Sequence, residues 1–252
     1  ARAIAASLLR GERKAILLGN AAAHHARAAS LLALANWIGA QTGASVGYLT
    51  EAANTVGAQW GGAQPATAGL NAGQMLAGAA RALLLLNVEP GADTAPGTRL
   101  GGDGMVVTLS PFKTNLDSSD VLLPITPFTE TAGSFVNAEG RIQSFHAVVK
   151  PLGEARPAWK VLRVMANLLE LPGMDFETAQ DVLARCTGGV GDDAAFVPAA
   201  RLSNATSAAI DSSAVAGDPV TASIYGLDAL VRRAPSLQST ADARQAREGA
   251  AA

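Results

Sequence analysis

Apolar residues in this chain fall into short runs that alternate with longer stretches of helical spacing. Lys14-Ala-Ile-Leu-Leu18 is such a run, and it ends at Gly19-Asn20, the pattern of a buried strand and its turn. From about Ala22 to Gln41, Leu31, Leu34 and Ile38 recur on one helical stripe, and Ser45 to Leu49 predicts a second strand. Residues 51–73 are rich in Gly, Ala, Asn and Thr around Trp60. They are too long for a simple connection, and such loops form interfaces or cleft walls. Asn71 is placed to cap a short helix reaching Ala80. Arg81 to Val88, Met105 to Leu109 and Val121 to Leu123 predict three further strands, the first closed by Glu89-Pro90-Gly91. Short apolar strands separated by helices or long loops predict an α/β fold, a doubly wound and mostly parallel sheet over residues 1–150.

After Gln143 the pattern changes. Pro157 suits the first turn of a helix, with Trp159, Leu162, Met165 and Leu169 on its apolar stripe and Lys160, Arg163 and Asn167 outward. Leu171-Pro172-Gly173 stops it. Asp175 is the expected N-cap of a second helix with the stripe Phe176, Ala179, Leu183 and Cys186, so residues 151–187 predict a helical hairpin packed on the α/β region. Residues 188–252 predict a loosely structured, irregular extension. Ile224 to Val231 is its last compact apolar run, and the tail beyond Gln238 is expected to be disordered.

Composition narrows the partners. Only 16% of the 252 residues are charged and the net charge is −2, a balance without the clustered positive field that captures phosphates, so no nucleic acid is expected. The arginines at 2, 10, 13 and 27 are dispersed and read as solvated helix faces. A single cysteine, Cys186, excludes an internal disulfide and a four-thiolate iron–sulfur site within this chain. The three histidines at 24, 25 and 146 offer no zinc spacing with it. The run Arg81 to Val88 is too short to span a bilayer, and no apolar leader with a cleavage site opens the chain; a soluble, intracellular protein is expected. The chain opens without Met inside an apparent helix, which reads as part of a longer polypeptide.

Most motif tests fail. The turn Gly19-Asn-Ala-Ala-Ala-His24 lacks the glycine pattern of a dinucleotide site, no phosphate loop is present, and Gly101-Gly-Asp-Gly104 precedes a strand as a turn would. An NAD or ATP site is therefore not expected. No Gly-x-Ser-x-Gly elbow offers a nucleophilic serine. His24 and His25 read as a solvent-exposed pair, His146 as a polar residue on a solvent face, and Cys186 as a core thiol. One segment stands apart, Asp120 to Gln143. Behind an apolar strand ending at Pro124 it gathers Thr129, Glu130, Asn137, Glu139, Arg141 and Gln143, and ligands of open α/β sheets sit at that end. Glu130 and Glu139 can be read as a paired-carboxylate site. The favoured reading is that Glu130, Asn137 and Arg141 satisfy each other and the loop backbone.

Asp120-Val-Leu-Leu-Pro124, Phe128-Thr-Glu-x-x-Gly133 and Asn137-x-Glu-Gly-Arg141-x-Gln143 together resemble the signature of the molybdopterin oxidoreductase superfamily. Pro157-Ala-Trp-Lys-Val-Leu-Arg163 and Tyr225-x-x-Asp-x-Leu-Val-Arg-Arg-Ala234-x-x-Leu-Gln238 further resemble the C-terminal part of the iron–sulfur-bearing member of that superfamily in bacterial NADH:quinone oxidoreductase, complex I. The resemblance covers most of residues 14–240 and is most specific over 120–170. It implies a non-catalytic scaffold, with no cofactor in this segment and with iron–sulfur clusters in an N-terminal part of the subunit that this chain lacks. The parent complex passes electrons from NADH to quinone and translocates protons. The implied partners are the other peripheral-arm subunits, on the cytoplasmic side of the bacterial inner membrane and without direct membrane insertion. Thr129, Glu130, Asn137, Glu139, Arg141 and Gln143 would then line the remnant of a cofactor cleft. The rival implication is a fragment of the catalytic subunit of an active molybdopterin-dependent oxidoreductase of the formate dehydrogenase type. A Cys, Ser, Asp or selenocysteine ligand to molybdenum has no identifiable counterpart here; its usual place falls upstream of residue 1.

Overall fold

A computed structural model describes residues 2–65, 69–94, 98–188, 202–211, 213 and 223–250. The α/β expectation holds, because each of the five runs predicted as strands forms one, and all pair in parallel. A first helix, α1 (Arg2–Arg10), precedes β1 (Ala15–Leu18), which pairs with β2 (Ser45–Tyr48) in a two-stranded sheet. Between them the expected single helix is two, α2 (Asn20–Ala23) and α3 (Ala28–Thr42), separated at His24–Arg27. Gly43, at φ 73°, ends α3 in the left-handed conformation that glycine takes most readily.

The second sheet is β3 (Ala82–Leu86), β4 (Met105–Ser110) and β5 (Val121–Pro124), all parallel and in the order β3-β4-β5. Its centre is the core of the described structure: Thr108 and Leu109 are fully buried on β4, with Leu85 and Ile125 beside them. The sequence predicts one continuous sheet; the parallel strands form two separate sheets instead. Residues 51–73 include α4 (Thr55–Trp60). Asn71 caps α5 (Ala72–Gln74) as expected, its side chain accepting from Gln74 N while the Gln74 side chain accepts from Asn71 N. The helix continues as a π-helical turn, Met75–Ala79, that ends where Gly78 (φ 93°) packs on the turn before β4. A Cβ on Gly78 would lie 2.7 Å from the carbonyl carbon of Gly101, so two backbones touch there.

After β5 the chain makes a 3₁₀ turn at Phe128–Glu130 and then a hairpin, β6 (Gly133–Val136) against β7 (Ile142–Phe145), antiparallel. Phe135 and Phe145 meet edge to face at 5.0 Å between ring centres. The predicted helical pair follows as α6 (Ala158–Leu168) and α7 (Ala179–Thr187). Its second cap is not Asp175. Thr178 accepts from Asp181 N while Asp181 accepts from Thr178 N, so helix begins three residues later and Phe176 lies outside it. Arg163, expected outward, turns in and donates to Phe176 O.

Two further expectations are corrected. Cys186, expected in the core, is exposed near the end of α7, while the next residue, Thr187, is buried. The tail beyond Gln238 is helical. The described C-terminal segment is α8 (Ala229–Arg232), α9 (Pro235–Gln238) and α10 (Ala241–Ala250), and Ala243 is buried. Elsewhere in the expected irregular extension, residues 202–211 carry no helix or strand, and residues 189–201, 212 and 214–222 lie outside the described residues.

Candidate functional site

The carboxyl ends of β3, β4 and β5 open on one crevice. Parallel strands point their C-terminal ends the same way, and the loops leaving them are Asn87 onward, Pro111-Phe112 and Ile125–Phe128. A cavity of about 360 Å³ lies there, walled by Phe112, Phe128, Phe135 and Phe145 and closed on one side by Ala229 and Leu230 of α8. Its polar groups are Asn87, Thr126, Thr131, Ser134 and Asp228. Thr126 is buried and its hydroxyl has no hydrogen-bond partner among the described residues. Asn87 holds a left-handed backbone at φ 53° as the chain leaves β3.

None of the six residues singled out from sequence lines this cavity, although Phe128 and Thr131 beside them do. Thr129 sits in the 3₁₀ turn, and its carbonyl accepts from Val148 N at 2.9 Å. Glu130 accepts from Leu152 N at 3.1 Å. Asn137 organises the hairpin turn: its side-chain oxygen accepts from Glu139 N at 3.0 Å and Arg141 N at 2.9 Å. Glu139 and Arg141 are exposed there, and Gln143 lies opposite Phe135 on β7. Glu130 precedes β6 and Glu139 follows it, so a four-residue strand, about 13 Å long, separates them. The two carboxylates do not form a pair across one reacting atom. Asn137 and Glu130 accept from loop backbone, the part of the favoured reading that these hydrogen bonds show.

The histidines behave differently. His24 Nε2 lies 2.6 Å from Glu51 Oε1, a partner that local spacing does not reveal because it is supplied by the loop after β2. His25 Nδ1 accepts from Arg27 N. Among the described residues no group of three or more His, Cys, Asp or Glu is placed to hold a metal, and no helix is long and apolar enough to cross a membrane.

The strongest polar cluster at the crevice joins distant parts of the chain. Glu89 and Asp93, in the loop after β3, meet Arg232 and Arg233 at the end of α8. Arg232 Nη1 donates to Asp93 Oδ1 at 2.5 Å and to Gly226 O at 2.7 Å, and Nη2 lies 3.4 Å from Glu89 Oε1. Arg233 Nη2 donates to Glu89 Oε2 at 2.9 Å, and its guanidinium stacks 4.4 Å from the Phe112 ring centre. Burial works against the charge of Arg232, but the hydrogen bond and charge of Asp93, then those of Glu89, outweigh it and raise its pKa. Sequence reading missed this cluster; only opposite charges in Glu89-x-x-x-Asp93 and Arg232-Arg233 hinted at it.

A crevice at the carboxyl ends of parallel strands is shared by many α/β proteins, and likeness in sequence narrows the choice. The sequence model for Molybdopterin oxidoreductase matches residues 1–168. The chain belongs to the molybdopterin oxidoreductase family. A Staphylococcus aureus (strain bovine RF122 / ET3-1) protein named "Putative formate dehydrogenase" is 47% identical over 51 residues, 20% of this chain and 5% of that protein. A Bacillus subtilis (strain 168) protein named "Probable oxidoreductase" is 40% identical over 65 residues, 26% of this chain and 6% of that protein. The matches therefore span a small part of the length of these relatives.

The family's cofactor carries phosphate, and the described crevice is poorly furnished for it. Phosphates at strand ends are held by free backbone N–H groups and by cations. Here Glu89 N donates to Asp93 Oδ2 and Gly91 N to Thr94 Oγ1, while Ala92 N and Asp93 N donate to Glu89 O. No Lys or Arg is among the described residues lining the cavity, and Asp228 adds a carboxylate. These donors and charges do not fit a phosphate-bearing group at this position.

Proposed function

We propose that the chain is part of a molybdopterin-dependent oxidoreductase of the formate dehydrogenase type, acting within a longer catalytic subunit. The observation that carries this reading is the likeness to relatives named as formate dehydrogenase and oxidoreductase, together with membership of the family. In such a protein, this region supplies α/β framework beside the catalytic centre, and the cofactor is held by surfaces other than the crevice beyond β3–β5. Formate oxidation releases two electrons and a proton to acceptors that the whole protein selects.

A second reading is favoured by one structural observation. The acidic, self-satisfied loop 87–94 suits a scaffold that holds no cofactor, of the kind expected in the iron–sulfur-bearing arm of complex I, where this region would pack against peripheral-arm subunits at the cytoplasmic face of the inner membrane. Elemental analysis and formate-dependent dye reduction of the full-length protein separate the two. Stoichiometric molybdenum or tungsten with formate oxidation supports the first reading. Iron alone, with copurifying NADH:quinone oxidoreductase subunits, sinks it and supports the second.

A further inference from the structure

We propose that residues 225–238 form a strap that closes the carboxyl-end crevice of β3–β5 against phosphate-bearing ligands, with Arg232 and Arg233 locked onto Glu89 and Asp93. The strap is a built unit. Asp228 caps α8 by accepting from Leu230 N and Val231 N, and Gln238 Nε2 donates to both Tyr225 O and Val231 O, tying α9 back across α8. α8 presents Ala229, 4% exposed, and Leu230 to the cavity wall.

The lock lies at the loop a phosphate would approach. The side chains of Arg232, Glu89 and Asp93 are 15%, 14% and 20% exposed, so salt screens them less than surface pairs. Arg232 forms two hydrogen bonds to the Asp93 carboxylate, the fork geometry that gives guanidinium–carboxylate pairs their specificity. The terminal nitrogens of both guanidiniums face Glu89, Asp93 and the carbonyls of Gly226 and Ala229, and the amides of Glu89, Gly91, Ala92 and Asp93 donate to Asp93, Thr94 and the Glu89 carbonyl. An incoming phosphate would find no Lys or Arg among the described residues lining the cavity and would meet the Asp228 carboxylate there, whose charge repels it. The strap holds for either reading of the whole protein, since it concerns only this crevice.

Amide hydrogen exchange on the full-length protein, with inorganic pyrophosphate as the probe, tests it. In the wild-type protein the peptides covering 86–94 and 225–238 exchange slowly, and millimolar pyrophosphate leaves them unchanged. Arg232→Gln combined with Arg233→Gln raises exchange in both peptides at least tenfold while the β4 peptide keeps its protection. Glu89→Gln combined with Asp93→Asn removes the lock from the other side with near-isosteric side chains and must do the same. Wild-type exchange at 225–238 in that second variant overturns the strap, even if the arginine variant fails to fold. Pyrophosphate protection of 86–94 in the wild-type protein overturns the exclusion. Molybdenum content decides the proposed function separately, so the two can fail independently.

Discussion

Asp181 and Thr178 close the start of α7 by reciprocal hydrogen bonds. The backbone N–H groups of Thr178 and then Glu177, with the Thr178 hydroxyl after them, hold the Asp181 carboxyl below its ordinary range. A carboxyl depressed in the folded state contributes stability above its unfolded pKa and loses it as pH falls through the folded one. The start of α7 should therefore loosen only below about pH 4. A carboxyl titration followed by NMR checks this; an Asp181 midpoint above its unfolded value would refute it. Thr178→Ala should cost about 1 kcal/mol in chemical denaturation, the usual loss for a hydroxyl cap. Gly78 tests another local constraint. Its φ of 93° and the 2.7 Å approach to Gly101 leave no room for a side chain, so Gly78→Ala should destabilise by at least about 1–2 kcal/mol, read as a lowered Tm.

At the scale of elements, β4 is the strand on which the second sheet depends. It pairs on both sides, and Leu109 is fully buried at its centre. Leu109→Ala should cost roughly 2–5 kcal/mol in denaturant unfolding, while Leu84→Ala, at a position 42% exposed on β3, should cost far less. Equal losses at the two positions would show that the core lies elsewhere. The strands were legible in the sequence because a buried parallel strand needs a mostly apolar run, and Ala82–Leu86, Met105–Leu109 (interrupted by Thr108 alone) and Val121–Leu123 are such runs. Asn71 was legible as a cap for an equally local reason. The start of α7 was not, since Asp175 and Thr178 are both good caps and the choice rested on which residue places an acceptor at the third position, Asp181. Helix α10 was missed because its Ala- and Arg-rich sequence shows no wide apolar stripe; the buried Ala243 is the anchor that the structure adds.

At the scale of the whole molecule, the described residues leave large apolar side chains in solvent. Leu168, Leu169 and Leu171 on and after α6 are 80%, 68% and 50% exposed, beside an apolar groove walled by Trp159, Met165 and Phe176. The 252-residue chain alone should therefore bind a hydrophobic dye strongly and self-associate in size-exclusion chromatography with light scattering. A monomer that leaves the dye dark would contradict that expectation. The sequence by itself determined the α/β class, most strands and the family likeness, since apolar runs and short motifs are local properties of the chain. Tertiary structure alone decided the division into two sheets, the partner of His24 and the seating of Arg232 and Arg233 on Glu89 and Asp93. Those contacts join residues far apart in the chain, and no local pattern encodes which distant charge a buried carboxylate will meet.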